Sequence, residues 1–208
     1  MELKTYLRIL VAKWWIVLPI FLVTVGVTAA FTLRQPPTYE SVASYVLRPR
    51  LSEADNRNAV GALSILGSPE IAGTIVEVAN SRLIVGQAVS QFNPTVEQIS
   101  RMSASSRKVP GTNVIEISVQ GSDPALIRDV AAAIGEKTVA YVLGMYSPYE
   151  LQQIDQPALP ISPIKPKKEI NLALGALAGL LLGAGLAFTA HYLQSPSVYE
   201  AVADTPGR

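Results

Sequence analysis

The chain of 208 residues has no cysteine and one histidine, His191. Without thiols there is no disulfide framework and no thiolate metal site. A histidine-based triad would have to use His191, which stands at the end of an apolar run. Charge is also scarce, at 16% of residues, and seventeen basic side chains nearly balance sixteen acidic ones. No HExxH, GxxxxGK[ST] or nucleophile-elbow pattern occurs. The acids are scattered and fall mostly on expected solvent faces, so no convergent set of reacting groups is seen. No catalytic, cofactor-binding or metal residue is therefore nominated, and the chain is not expected to be an enzyme. The basic residues form no stripe with interleaved aromatics, which speaks against a nucleic-acid partner.

Apolar residues are abundant, and they are concentrated in two blocks. Residues 14–33 and 170–193 hold twenty and twenty-four residues without an Asp, Glu, Lys or Arg. Each is long enough to cross a bilayer core of roughly 30 Å as a helix. Neither alternates polar and apolar residues as a barrel strand does. Lys4, Arg8 and Lys13 before the first block resemble the n-region of a signal peptide, but the apolar run is too long and Thr28-Ala29-Ala30 is a weak cleavage site. A retained anchor is expected.

The plan is an N-terminal tail (1–13), a first span (14–33), an extracytoplasmic domain (34–156), a proline-rich basic lead-in (157–169), a second span (170–193) and a C-terminal tail (194–208). The three cations before the first span place both tails in the cytoplasm. Lys165, Lys167 and Lys168 before the second span argue the other way. The first span is given precedence because it inserts first, and the three lysines are left with a separate task, such as gripping lipid phosphates.

The middle segment reads as α+β: a small sheet with a hairpin and packed helices. Tyr39 to Leu47 reads as a strand. Ser68-Pro69-Glu70 starts a helix, with a serine cap and a proline at its first position. A second helix covers residues 82–92, and Pro94-Thr95 opens a short turn to Ser100. Residues 102–108 read as a weak strand, and Pro110-Gly111-Thr112 as a turn. In NVIEISVQ, Ile115, Ile117 and Val119 share the face expected to be buried. Asp123-Pro124 repeats the cap-plus-proline signal. Ile127, Val130, Ala131, Ile134, Thr138 and Tyr141 then keep helical spacing to about Met145, after which the chain is expected to pass almost directly into the proline segment.

Three features outside the domain stand out. Gly175, Gly179 and Gly183 lie on one face of the second span, where small residues let another helix approach closely in lipid. Pro157, Pro160, Pro163 and Pro166, followed by Lys167, hold the chain extended as a semi-rigid spacer. The tail SPSVYEAVADTPGR is too short to fold, and Val198 and Tyr199 are candidates for docking a soluble partner.

These residues in this order resemble the polysaccharide co-polymerases, also called chain-length determinant or Wzz-type proteins. Four stretches carry the resemblance: Tyr39-Glu40-Ser41 soon after the first span, GTNVIEISVQGSDP, the prolines and Lys167 before the second span, and the glycines within it. The resemblance spans almost the whole chain. It implies a ring-like homo-oligomer in the bacterial inner membrane that sets the length of O-antigen, capsule or exopolysaccharide with a polymerase, and catalyses nothing. The prolines would then set how the domain meets its span, and the glycines would pack neighbouring spans. The chain lacks the long helical extension of larger members. It is similar instead to short membrane activators of a separate cytoplasmic tyrosine kinase, whose output is the C-terminal tail. A plain two-span binding module is the third reading.

Overall fold

A computed structural model describes residues 8, 10–49, 69–145 and 149–194. The basic tail before residue 8, the segment 51–67, the Ser68 cap, and Val198 and Tyr199 lie outside these residues. The chain divides into two compact units, residues 36–165 and a pair of apolar helices formed by the segments on either side.

The first unit is built on four antiparallel strands: β1 (Tyr39–Pro49), β2 (Ser103–Lys108), β3 (Val114–Gly121) and β4 (Tyr149–Asp155), in the order β2-β3-β1-β4. β2 and β3 form the hairpin expected from NVIEISVQ. Gly111 takes a φ of +74° in its turn, which favours a residue with no Cβ. Alternation along β3 is complete: Ile115, Ile117 and Val119 are fully buried, and the residues between them are half-exposed. In β1, Ser41, Ala43, Tyr45 and Leu47 point inward in the same way.

Helices cover one face of this sheet. α2 (Pro69–Asn80) lies on β2 and β3, whereas α5 (Pro124–Met145) lies on β1, β3 and β4. α3 (Arg82–Ser90) packs against α5, and α4 (Val96–Ser100) is a single short turn. Local sequence sets these starts. Ser81 caps α3 by accepting from the Ile84 amide. Thr95 and Gln98 form a reciprocal capping box on α4. Asp123 Oδ1 accepts from the amides of Ala125 and Leu126 at the head of α5. The buried α5 residues include Ile127, Val130, Ala131, Ile134 and Thr138. At its far end the helix buries Val142 fully and Tyr141, the residue expected there, only in part.

One expectation fails. The chain does not pass from α5 directly into the proline segment, because β4 intervenes and pairs with the second half of β1. Only Tyr149 and Leu151 of YELQQID are buried, too few to show a strand period. Its partner is about a hundred residues away in the chain, so the pairing is invisible to any local window.

The second unit contains α1 (Trp14–Arg34) and α6 (Lys168–Gln194), both long and apolar enough to cross a membrane. Most of their large side chains are exposed, among them Leu22, Val23, Phe31, Leu181 and Leu186. Such surfaces suit lipid as the surrounding solvent.

Candidate functional site

The seam between α1 and α6 is built from small residues. Gly175, Gly179, Gly183 and Ala187 form the buried row of α6. A Cβ on Gly175 would stand 2.6–2.9 Å from Thr28 side-chain atoms. One on Gly179 would stand 3.1 Å from Phe21 Cα, and one on Gly183 would stand 3.1 Å from Val17 Cα. The partners fall in reverse order along α1, so the helices run antiparallel. Asn171 Nδ2 donates to Thr32 Oγ1 at 3.4 Å, continuing the row by one more turn. The hydroxyls of Thr24 and Thr28 donate back to the carbonyls of Ile20 and Thr24, both at 2.8 Å. This satisfies them without a partner helix.

The glycine face is therefore taken up by the chain's own first span, rather than left open for a neighbouring chain. The matching signal was present in FLVTVGVTAAFTL, where Thr24, Thr28 and Thr32 recur at the same four-residue interval. Gly185 lies off the row, where a Cβ would meet nothing within 4 Å, and Leu181 and Leu186 are exposed.

The proline segment is bonded to the sheet rather than running free as a spacer. β4 leaves the first part of β1 unpaired on that side, and residues 158–165 occupy the vacant edge. Ser41 Oγ donates to the Ala158 carbonyl at 2.8 Å. Thr38 N donates to the Lys165 carbonyl at 3.1 Å, and the amides of Ile164 and Lys165 donate to Thr38 O. Pro157, Pro160 and Pro163 lack amide hydrogens and cannot extend this bridge into a strand. Lys165, Lys167 and Lys168 are exposed. Replacing Ser41, which is 2% exposed, by alanine orphans a carbonyl acceptor and is expected to cost about 1 kcal/mol of domain stability, measured as a shift in the denaturant midpoint.

Next to this edge, Glu40 accepts hydrogen bonds from Ser118 Oγ and from Gln120 Nε2 across the β1–β3 pair. Those bonds hold its carboxyl below the ordinary glutamate value. Arg107 and Lys165 add to the effect, and partial burial opposes it. A depressed folded-state pKa stabilises above the unfolded-state value, and the contribution is lost as pH falls through the folded value. The domain is expected to lose stability on acidification from about pH 5 downwards. Glu40→Gln should make that loss shallower, which thermal melts at a series of pH values would measure.

Two arginines of the sheet are held in ion pairs. Arg48 pairs with Glu150, and Arg107 with Glu116 at 2.8 Å. Arg50 lies outside the described residues. Among the described residues no group of three potential metal ligands occurs.

Residues 1–92 match the Wzz family model, described as chain length determinant protein. The match runs through α1, β1, α2 and α3. The chain is 22% identical over 166 residues to the capsular polysaccharide biosynthesis protein CpsC of Streptococcus agalactiae, covering 78% of this chain and 68% of that one. The figures for CpsC of serotype Ia of the same species are the same. A solved full-length bacterial polysaccharide co-polymerase has the same fold, with a TM-score of 0.55 at 11% identity, over 95% of this chain and 100% of the other.

Proposed function

We propose that this chain, which resembles the Wzz-type chain length determinant proteins, belongs with them and regulates the length, assembly or export of a cell-surface polysaccharide without catalysing a reaction. It does so as a homo-oligomer in the bacterial inner membrane, passing through it twice with both termini in the cytoplasm. The polymer and its polymerase are the partners, and membrane lipid faces α1 and α6.

The observation that supports this reading most is the continuous family match across the first span, β1 and the two helices after it. The orientation rests on Arg8 and Lys13 before α1, with Lys4, against Arg34 alone at its far end. A capsular polymer is the polymer class favoured, by likeness to CpsC.

The test is removal of the chain from its host and electrophoresis of the surface polymer. Loss of a preferred length, restored by the intact chain, is the expected result. An unchanged length distribution in the deletion strain would overturn the reading. Truncation after Gln194 separates the kinase-activator alternative, because that alternative requires partner phosphorylation to be lost while the oligomer stays intact.

A further inference from the structure

A groove of about 580 Å³ lies between α5 and the chain leaving β4. Its walls are Arg128, Asp129, Ala132 and Glu136 on one side and Gln153, Gln156, Pro157 and Leu159 on the other. The volume is within the range of small-ligand sites.

The β4 wall is made by a bulge. Tyr45 pairs with Gln153 and the adjacent Ser44 with Asp155, so Ile154 is one residue too many. Without it the inward parity of Tyr149, Leu151 and Gln153 would put Asp155 next on the helix side. With it, Gln156 takes that place and both glutamines face α5. On α5, Asp129, Ala132 and Glu136 recur at helical spacing along the opposing wall. Among the described residues, these polar groups do not bond one another across the gap. The guanidinium of Arg128 pairs with its neighbour Asp129 at 2.7 Å. Two amides and a carboxylate thus converge on one space with no partner from the facing wall.

We propose that this groove binds a short segment of neutral, hydroxyl-rich saccharide, an inference that rests on the function proposed above. Planar amides present a donor beside an acceptor, and carboxylates a pair of acceptors, for neighbouring sugar hydroxyls. Pro157, Leu159 and Ala132 supply apolar surface for the C–H faces of a ring. Two carboxylates against one guanidinium leave the groove net negative, which disfavours a uronate- or phosphate-bearing segment. The apolar surface is too small to seat the large side chains that anchor a peptide.

The test uses the full-length chain in nanodiscs, with oligosaccharides released from the host's own surface polymer as the probe and saturation-transfer NMR as the readout. Transfer to sugar ring protons is expected, with affinity at least tenfold weaker in Gln153→Ala/Gln156→Ala. Both glutamines are exposed, so the substitutions leave the fold in place, and Glu136→Gln provides a second variant that removes a charge at nearly constant shape. No transfer to the native chain, or equal affinity in the double variant, would overturn the proposal. The deletion strain separates the two inferences. Length control lost on deletion but unchanged in the groove variants, with no transfer, leaves the proposed function standing and removes the groove from it. Length control unaffected by deletion removes the proposed function itself.

Discussion

Replacing Gly175, Gly179 and Gly183 together by leucine should part α1 from α6 within a single chain. In lipid the two helices gain nothing by hiding apolar surface from water, so their association depends on close contact. That contact is already at its limit, because even a Cβ on Gly175 would stand 2.8 Å from Thr28 Cβ. Moving a Thr28 rotamer does not relieve this, since Cβ is fixed to the backbone. At Gly179 and Gly183 the neighbours include backbone Cα atoms at 3.1 Å. Overpacking typically costs about 1–3 kcal/mol at one position, and three positions along one seam share their strain.

The chain has no native cysteine, so Thr32→Cys with Asn171→Cys, whose native side chains touch, provides a clean cross-linking pair. In membranes a short bifunctional reagent should link them within one chain in the native background. The link should vanish in the triple-leucine variant and survive in Gly185→Leu. Equal linking in the triple variant would mean that the glycine row does not hold the hairpin. If Gly185→Leu instead disturbs only the oligomer, the outer face of α6 is where chains meet.

What could be read from sequence followed the range of the interactions concerned. Ile115, Ile117 and Val119 announce their strand because burial alternates within eight residues and a Pro-Gly turn precedes them. Asp123-Pro124 announces α5 because a cap acts on amides two and three residues away. The glycine row announced a packing face but not its owner, since Thr28 and Gly175 are separated by the whole domain. β4 went unread for the same reason. After Leu151 its only apolar residue is the bulged, exposed Ile154, and what makes it a strand is the free edge of β1. The attachment of Ala158 to Ser41 and of Lys165 to Thr38 was equally hidden, and composition alone read the segment as a spacer. The groove residues carried no signal at all. Gln153 and Gln156 become a pair only through a bulge whose register is set by Ser44 and Tyr45.

Gly135→Ala is expected to be strongly destabilising, against the usual sign for such a change. In an exposed helical position alanine is better than glycine by about 1 kcal/mol. Gly144, near the end of the same helix with nothing within 4 Å of a Cβ, is expected to show that gain. At Gly135 a Cβ would run into the Tyr45 hydroxyl oxygen and Cζ, and would stand 2.8 Å from Cε2. Tyr45 is 2% exposed and lies in the middle of β1, with β3 on one side and β4 on the other. The buried ring can retreat only by displacing its packed neighbours. Burial, and after it the charge of Glu136, raises the pKa of its hydroxyl, so the phenol stays neutral and cannot be drawn out by ionisation. The expected net loss is about 2 kcal/mol, read from the denaturant midpoint of the full-length chain. Adding Tyr45→Phe should restore only part of it, because the oxygen is removed while Cζ remains too close. Full recovery by Tyr45→Phe would show that the hydroxyl alone makes the contact. A Gly135→Ala chain as stable as the native one would mean that α5 does not lie so near β1. The groove between α5 and β4, which depends on that approach, would then lose its wall.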